Sequence, residues 1–120
     1  RHMDITHPEL VSKLVKPGRQ ILAEMSHHDA NLIHMVLGIS GEAGELLDAI
    51  KKRAIYQKPL DFQNVVEELG DLEFYMEGIR QELGITRDLC LANNIAKLSK
   101  RYQQLVYSNE SAIARNDKLT

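Results

Sequence analysis

The sequence predicts an all-α protein, a bundle of four to five helices that assembles through helix packing between protomers. Apolar residues recur at intervals of three and four along three long segments, which is the period of an amphipathic helix. Capping and stop signals stand at the ends of these segments. No segment shows the apolar and polar alternation of a strand. Together these observations exclude β and mixed α/β architectures.

The first helix is predicted to begin near residue 6. Thr6 can cap it, Pro8 suits the first turn, and Glu9 completes a capping box. Lys16-Pro17-Gly18 should interrupt it, because proline removes a backbone donor and clashes with the preceding turn. We therefore expect a short helix, a break, and a second short helix over residues 19–25.

A long helix is predicted from about Ala30 to Arg53, with Asp29 as its cap. Its first half is apolar on more than one side, through Leu32, Ile33, Met35, Val36, Leu37 and Ile39. Such a helix must be buried on nearly all sides, so we expect it to pack against a second copy of the chain. Gly41 and Gly44 each cost about 1 kcal/mol of helix propensity, which indicates close approach of a neighbouring backbone or ligand.

The third helix should start at a cap provided by Asp61 or Asn64 and end at Gly84. Thr86 with Asp88 opens a fourth helix, which is apolar at helical spacing as far as residue 105. From residue 108 the chain is polar and is expected to fray. We accordingly divide the chain into vector-derived residues 1–3, one helical domain over 4–107, and a polar C-terminal tail over 108–120.

Composition excludes several classes of function. The 120 residues suit one domain, and 15 Lys and Arg against 17 Asp and Glu leave no basic field for a nucleic acid polymer. Cys90 is the single cysteine, which excludes an intrachain disulfide and fits the reducing cytoplasm. No apolar run approaches the ~20 residues that cross a bilayer, and no signal peptide is recognisable, so we expect no membrane association.

Two pairs of carboxylates carry the strongest chemical signal. Glu42 with Glu45, and Glu68 with Asp71, are each three residues apart and lie within apolar helical patterns. An offset of three puts both members on one helix face, so two antiparallel helices would bring four carboxylates together. The carboxylates would repel one another unless a cation binds among them, and oxygen ligands favour Mg²⁺ first and Mn²⁺ second. A solvated helix face is the alternative interpretation of any single pair.

The same segments resemble a known family. Glu42-Ala43-Gly44-Glu45 and Glu68-Leu69-Gly70-Asp71 match the paired E-x-x-E and E-x-x-D motifs of MazG-like, all-α nucleoside triphosphate pyrophosphohydrolases. Residues 94–102 resemble the N-x-x-K-L-x-x-R-Y segment found downstream in that family. The resemblance implies Mg²⁺-dependent hydrolysis of a nucleoside triphosphate to the monophosphate and pyrophosphate. It also implies a homodimer or a homotetramer built as a dimer of dimers.

The resemblance assigns roles to particular residues. It makes Glu42, Glu45, Glu68 and Asp71 the metal-binding and catalytic residues. Around the substrate phosphates and sugar it places four residues of the fourth helix, namely Asn94, Lys97, Arg101 and Tyr102.

Other polar residues near these motifs carry weaker signals. Lys51 follows the first motif by about two turns and is a further candidate for substrate binding, although a solvated helix face explains it as well as it explains Lys52 and Lys100. Glu67 is turned ~100° from Glu68 and is expected to support the site from outside or to face solvent.

Several rival interpretations remain. Glu24 and His27 have the E-x-x-H spacing of di-iron helical proteins, but the second such motif is missing. No glycine-rich phosphate loop is present. Within the resembled superfamily, a dUTP/dCTP-type diphosphatase or a phosphoribosyl-ATP pyrophosphohydrolase is an alternative. Outside it, a non-catalytic helical interaction protein with solvated acids is the main one.

Overall fold

Six helices make up the protein in a computed structural model that describes residues 4–115 and 117. They are α1 (His7–Leu14), α2 (Gly18–Glu24), α3 (His27–Ala54), α4 (Phe62–Leu83), α5 (Arg87–Arg101) and α6 (Asn109–Ala114). No strand occurs among the described residues. The predicted all-α class is therefore confirmed, while the vector-derived assignment of residues 1–3 lies outside the described residues.

The two N-terminal helices follow the sequence signals closely. Thr6 caps α1 by accepting a hydrogen bond from the Glu9 amide at 3.3 Å. The predicted capping box is incomplete, because the Glu9 carboxylate accepts from the Thr6 hydroxyl at 2.8 Å. The chain then breaks before Gly18, where proline prevents α1 from continuing.

The start of α3 corrects one predicted cap. Ser26, and not Asp29, is the N-cap, and the helix starts three residues earlier than expected. The Ser26 hydroxyl accepts from the Asp29 amide, and the Asp29 carboxylate accepts from the Ser26 amide, both at 3.0 Å. Asp29 is therefore the third helical residue of a capping box. An acidic side chain is also favourable there, because it lies near the positive end of the helix dipole.

The later helix ends agree with the predictions. Asp61 caps α4 through the Asn64 amide at 3.1 Å, which selects it over Asn64. Gly84 ends α4 with a φ of 68°, in the left-handed region that glycine adopts without a steric penalty. Thr86 caps α5 through the Leu89 amide at 3.1 Å.

Helices α3 and α4 form an antiparallel hairpin. At the end of the hairpin away from the loop, His28 of α3 lies beside Glu82 of α4. Nearer the loop, a side chain at Gly38 would collide with the ring of Tyr75, and one at Gly78 would collide with Met35. Glycine at positions 38 and 78 is therefore what lets the two helices lie this close.

Gly41 and Gly44 do not have the role predicted for them within this chain. An added Cβ at either position would meet nothing within 4 Å. Both lie on α3 away from the packed stripe, so only a second molecule or a ligand could approach them closely.

One chain does not close a bundle. Extended helix packing among the described residues joins α3 with α4, and a smaller contact joins α5 with α6. The radius of gyration is 20.6 Å, against about 14 Å for a compact domain of this length. Large apolar side chains on the outer face of α3 remain exposed, including Val36 at 54%, Leu37 at 65% and Leu47 at 68%.

Part of the C-terminal segment is helical. Residues 109–114 form α6, capped by Ser108 through the Ser111 amide at 3.1 Å, where a frayed tail was predicted. A polar composition did not prevent a capped turn of helix from forming there. In the described part of the chain, no helix has the length and apolarity that crossing a bilayer requires.

Candidate active site

The α3–α4 hairpin brings three of the four predicted carboxylates together. One oxygen from each of Glu42, Glu68 and Asp71 lies within 4.8 Å of the others. Glu42 comes from α3 and the other two come from α4, where an offset of three keeps them on the hairpin's inner face. The convergence follows from the antiparallel register, which sets Glu42 opposite the second motif.

Glu45 lies at the edge of this group. It stands one turn after Glu42 on α3 and is exposed, whereas Glu42 is half-buried. Its carboxyl is near enough to Glu68 to share a hydrogen bond with it. The hairpin thus holds all four carboxylates within one region, with Glu68 at the centre.

Glu68 is the most shielded ionisable side chain of the site, with 6% of its surface exposed. The pKa of Glu68 is raised from its ordinary 4.5 to about 8, first by a hydrogen bond shared with Glu42, then by burial, and then by Glu45. Each of these favours the protonated form, because neighbouring carboxylates repel a further negative charge. Without a cation, the site therefore retains a proton at neutral pH.

Two oxygens of the site are left without hydrogen-bond donors. Among the described residues, Oε2 of Glu42 and Oε2 of Glu68 are buried and have no such partner. Both groups are acceptors when ionised, so a shared proton, a buried water or a cation would satisfy them. An all-oxygen donor set of this charge fits a hard divalent cation such as Mg²⁺ or Mn²⁺.

The predicted substrate-binding residues of α5 lie apart from this group. Asn94 and Tyr102 line a groove of ≈ 340 Å³ together with Tyr107, whose ring centroid is 5.7 Å from that of Tyr102. Lys97 is half-buried on the same helix. Within the described chain, α5 has no extended packing against α3 or α4, so a single protomer does not assemble these residues over the carboxylates.

Arg101 is held by a partner that the sequence did not reveal. Its Nε donates to Oδ1 of Asp117 at 2.8 Å, and its Nη2 donates to Oδ2 at 3.2 Å. This ion pair raises the pKa of Arg101 above its ordinary value. Asp117 follows Arg101 by 16 positions and lies in the segment that we expected to fray, and no local motif signals the pairing.

The remaining candidates do not belong to the carboxylate group itself. Lys51 is exposed, with its Nζ 5.6 Å from the centroid of the Tyr56 ring, and Lys52 pairs with Asp48 at 3.1 Å. Glu67 is exposed on α4 and is not part of the carboxylate group.

The spacing of a di-iron motif has another explanation in the structure. Glu24 forms an ion pair with Lys16 at 2.7 Å and accepts a hydrogen bond from Gln20. Among the described residues, the group of acids and histidines that could hold a metal ion is the one around Glu68, and it contains no histidine. The structure therefore gives the di-iron alternative no support.

Comparison with known protein families adds one finding. Residues 31–106 match the family described as the MazG nucleotide pyrophosphohydrolase domain. The match covers both carboxylate motifs and the α5 segment. Comparison with curated proteins and with solved structures finds no significant match.

Proposed function

Because the chain belongs to the MazG nucleotide pyrophosphohydrolase family, we propose that it is a Mg²⁺-dependent nucleoside triphosphate pyrophosphohydrolase. It would convert a (deoxy)nucleoside triphosphate and water to the monophosphate and pyrophosphate, with Mn²⁺ as a possible substitute metal. In the cytoplasm this reaction would remove non-standard or surplus nucleotides.

The carboxylate group around Glu68 carries the proposal. It combines a buried acid, two oxygens without donors and a third carboxylate within 4.8 Å. A merely solvated acidic face would not bury Glu68 among like charges, because that arrangement destabilises the folded protein without a compensating cation. A metal-binding role accounts for both the burial and the raised pKa.

The chemistry follows from the charge of the substrate. Glu42, Glu68 and Asp71, with Glu45 beside them, would hold the divalent cation, which supplies neutralisation of phosphate charge. A carboxylate of the group would orient the attacking water and accept its proton. A P–O bond forms between the water oxygen and the attacked phosphorus, the bond from that phosphorus to the oxygen bridging the α and β phosphates breaks, and the monophosphate and pyrophosphate separate. Attack at either phosphorus gives the same products.

Residues of α5 would complete the substrate site. Lys97 and Arg101 offer positive charge, and Arg101 can bind two phosphate oxygens at once. Asn94 and Tyr102 border the groove in which a sugar or base could lie. Lys51 is a peripheral candidate.

A second copy of the chain would bring the carboxylate group and the α5 residues together. The extended single chain and the exposed apolar face of α3 are unfavourable in water, and a partner hairpin would bury that face. We therefore propose a homodimer or a dimer of dimers.

Product analysis tests the activity. Purified protein is incubated with a mixture of nucleoside and deoxynucleoside triphosphates, with and without Mg²⁺, and the mono- and diphosphates, phosphate and pyrophosphate are resolved. We expect monophosphate and pyrophosphate only when the metal is present. Diphosphate with phosphate would contradict the reaction, and a lack of turnover with any nucleotide would favour the interaction-protein alternative.

The same panel, extended with phosphoribosyl-ATP and modified nucleoside triphosphates, separates the enzymatic alternatives. Turnover confined to dUTP and dCTP would assign the diphosphatase type, and turnover confined to phosphoribosyl-ATP would assign the other branch. Broad turnover of modified or surplus triphosphates supports the house-cleaning role.

Light scattering with size-exclusion chromatography tests the oligomer. We expect a mass of two or four chains, and Leu37→Glu should reduce it because it puts a charge on the proposed interface. Ile113→Glu is the control, since Ile113 lies on α6 and is 81% exposed. A monomeric wild-type protein would contradict the proposal.

A further inference from the structure

The chain reverses direction after α5 and returns to the end of that helix. Tyr102 terminates α5, and Leu105 takes a φ of 57°, a left-handed conformation that is unusual for a bulky residue. Helix α6 follows, and Asp117 then meets Arg101. The segment 105–117 is thereby fastened to the last residue of α5.

The Arg101–Asp117 pair is shielded from water. The side chain of Arg101 is 18% exposed and that of Asp117 is 2% exposed. Both carboxylate oxygens engage one edge of the guanidinium, formed by Nε and Nη2. A phosphate group binds arginine through two parallel hydrogen bonds to the same kind of edge. Asp117 therefore occupies the position that a substrate phosphate would take on Arg101, and it also neutralises the charge that would attract the phosphate.

We propose that Asp117 is an internal competitor of the substrate, so that the C-terminal segment weakens triphosphate binding until a phosphate displaces Asp117 from Arg101. This inference rests on the proposed function insofar as Arg101 binds substrate phosphate. It assigns the C-terminal segment, most of which lies beyond the family match at residues 31–106, a regulatory role at the active site.

The charges favour displacement by the substrate. Asp117 brings a single negative charge, whereas a triphosphate carries several and can form the same paired hydrogen bonds. The segment would discriminate between anions, because an anion of low charge competes poorly with the Asp117 carboxylate that is already bound to Arg101. Monophosphate and inorganic phosphate should be excluded more strongly than triphosphate.

Steady-state kinetics of Asp117→Asn test the competition. The amide keeps the shape of the side chain but removes its charge, so KM for the triphosphate should fall roughly three- to tenfold while kcat changes less than about twofold. Glu110→Gln is the control, because it removes one negative charge from the same segment, at an exposed position on α6. An unchanged or higher KM in Asp117→Asn would overturn the proposal, and a higher KM would make Asp117 a positioning residue.

Two further variants keep the test decisive if Asp117→Asn disturbs folding. Asp117→Glu retains the charge, so its KM should stay closer to that of wild type. Arg101→Lys cannot form the paired hydrogen bonds, so adding Asp117→Asn to it should change KM much less than in wild type. Equal effects of Asp117→Asn in both backgrounds would show that Asp117 does not act through Arg101, and would overturn the proposal.

A binding measurement separates this inference from the proposed function. Inorganic tripolyphosphate is titrated calorimetrically into wild-type and Asp117→Asn protein in the presence of Mg²⁺. Tighter binding to the variant, without turnover of any nucleotide, would support the competition and contradict the activity. Nucleotide turnover with identical tripolyphosphate affinities of the two proteins would support the activity and contradict the competition. An absence of both turnover and tripolyphosphate binding would contradict the activity and the competition alike.

Discussion

The α3–α4 hairpin and the α5–α6 arm, residues 87–117, present opposite halves of the same proposed site. The hairpin collects negative charge in a tightly packed, partly buried position around Glu68. The arm carries the cationic and aromatic residues, and the described chain leaves it without extended packing on the hairpin. The carboxylates need only two helices from one chain to meet, whereas the proposed phosphate-binding residues lie apart from them in one protomer.

The difference also concerns how the charges are compensated. In the hairpin, Glu68 has like-charged neighbours, so its proton stands in place of a cation. In the arm, Asp117 gives Arg101 an internal counter-charge, at the position that we propose for a substrate phosphate. The protein thus offsets part of the charge of the carboxylate group with a proton, and the charge of Arg101 with Asp117.

The largest expected effect is the loss of activity on neutralising the centre of the hairpin. Glu68→Gln should lower kcat/KM by more than about 100-fold, because it removes a proposed metal ligand and leaves an amide among carboxylates. The measurement is pyrophosphate release at saturating Mg²⁺. Glu67→Gln is the matched control, since Glu67 is the exposed neighbour, and its activity should stay near wild type. Equal losses in both variants would contradict the assignment of the site.

Packing within the hairpin gives the next largest effect. Gly38→Ala should destabilise the protein by about 1–3 kcal/mol, because the new methyl group meets the Tyr75 ring. Gly41→Ala, three residues along the same helix, should stabilise it by up to about 1 kcal/mol through helix propensity. Urea denaturation in EDTA compares the two. A destabilised Gly41→Ala variant would instead reveal a partner molecule packed against that position.

The pH dependence of the metal-free protein should be smaller but distinctive. The pKa of Glu68 is raised from 4.5 to about 8 in the folded state, so between these values the folded protein binds a proton that the unfolded chain releases. The free energy of unfolding without metal should therefore fall as the pH rises from about 4.5 to 8.

Thermal melts in EDTA and in millimolar Mg²⁺ check this dependence. Bound Mg²⁺ takes the place of the proton, so the decline should disappear when the metal is added. Glu68→Gln should also remove it. A Tm with the same pH dependence in EDTA and in Mg²⁺ would argue against a metal site.

The smallest expected effect is at the open end of the hairpin. The Nδ1 of His28 lies 2.8 Å from Oε1 of Glu82, and the His28 side chain is 50% exposed. His28→Ala should cost at most about 1 kcal/mol, because solvent and salt screen such a pair. His27→Ala is the control at the adjacent exposed position, and its stability should match wild type in the same denaturation experiment.

The helix boundaries were largely predictable because they depend on local chemistry. Thr6, Asp61 and Thr86 cap their helices as predicted, and Gly84 ends α4, since each of these hydrogen bonds or dihedral angles involves residues within one turn. Ser26 was missed because Ser26 and Asp29 bind one another's amides, so either could be taken for the cap.

The carboxylate group was predictable for a related reason. The spacing within each motif fixes the face of its helix, and a short loop between two long helices makes them antiparallel neighbours. Spacing alone could not show that Glu68 would be buried while Glu45 would be exposed, because burial depends on how deeply the two helices pack.

By itself, the sequence determined the all-α class, most helix ends and the meeting of the two acidic motifs, because these depend on periodicity and local hydrogen bonds. The tertiary structure alone decided which glycines allow close packing, which carboxylate bears the raised pKa, and that Asp117 pairs with Arg101. These features depend on distances between residues far apart in the chain, which helical spacing does not encode. The outer face of α3 needed both the sequence and the structure. Its apolar pattern predicted that the face is buried, and the structure shows that a single chain leaves it exposed.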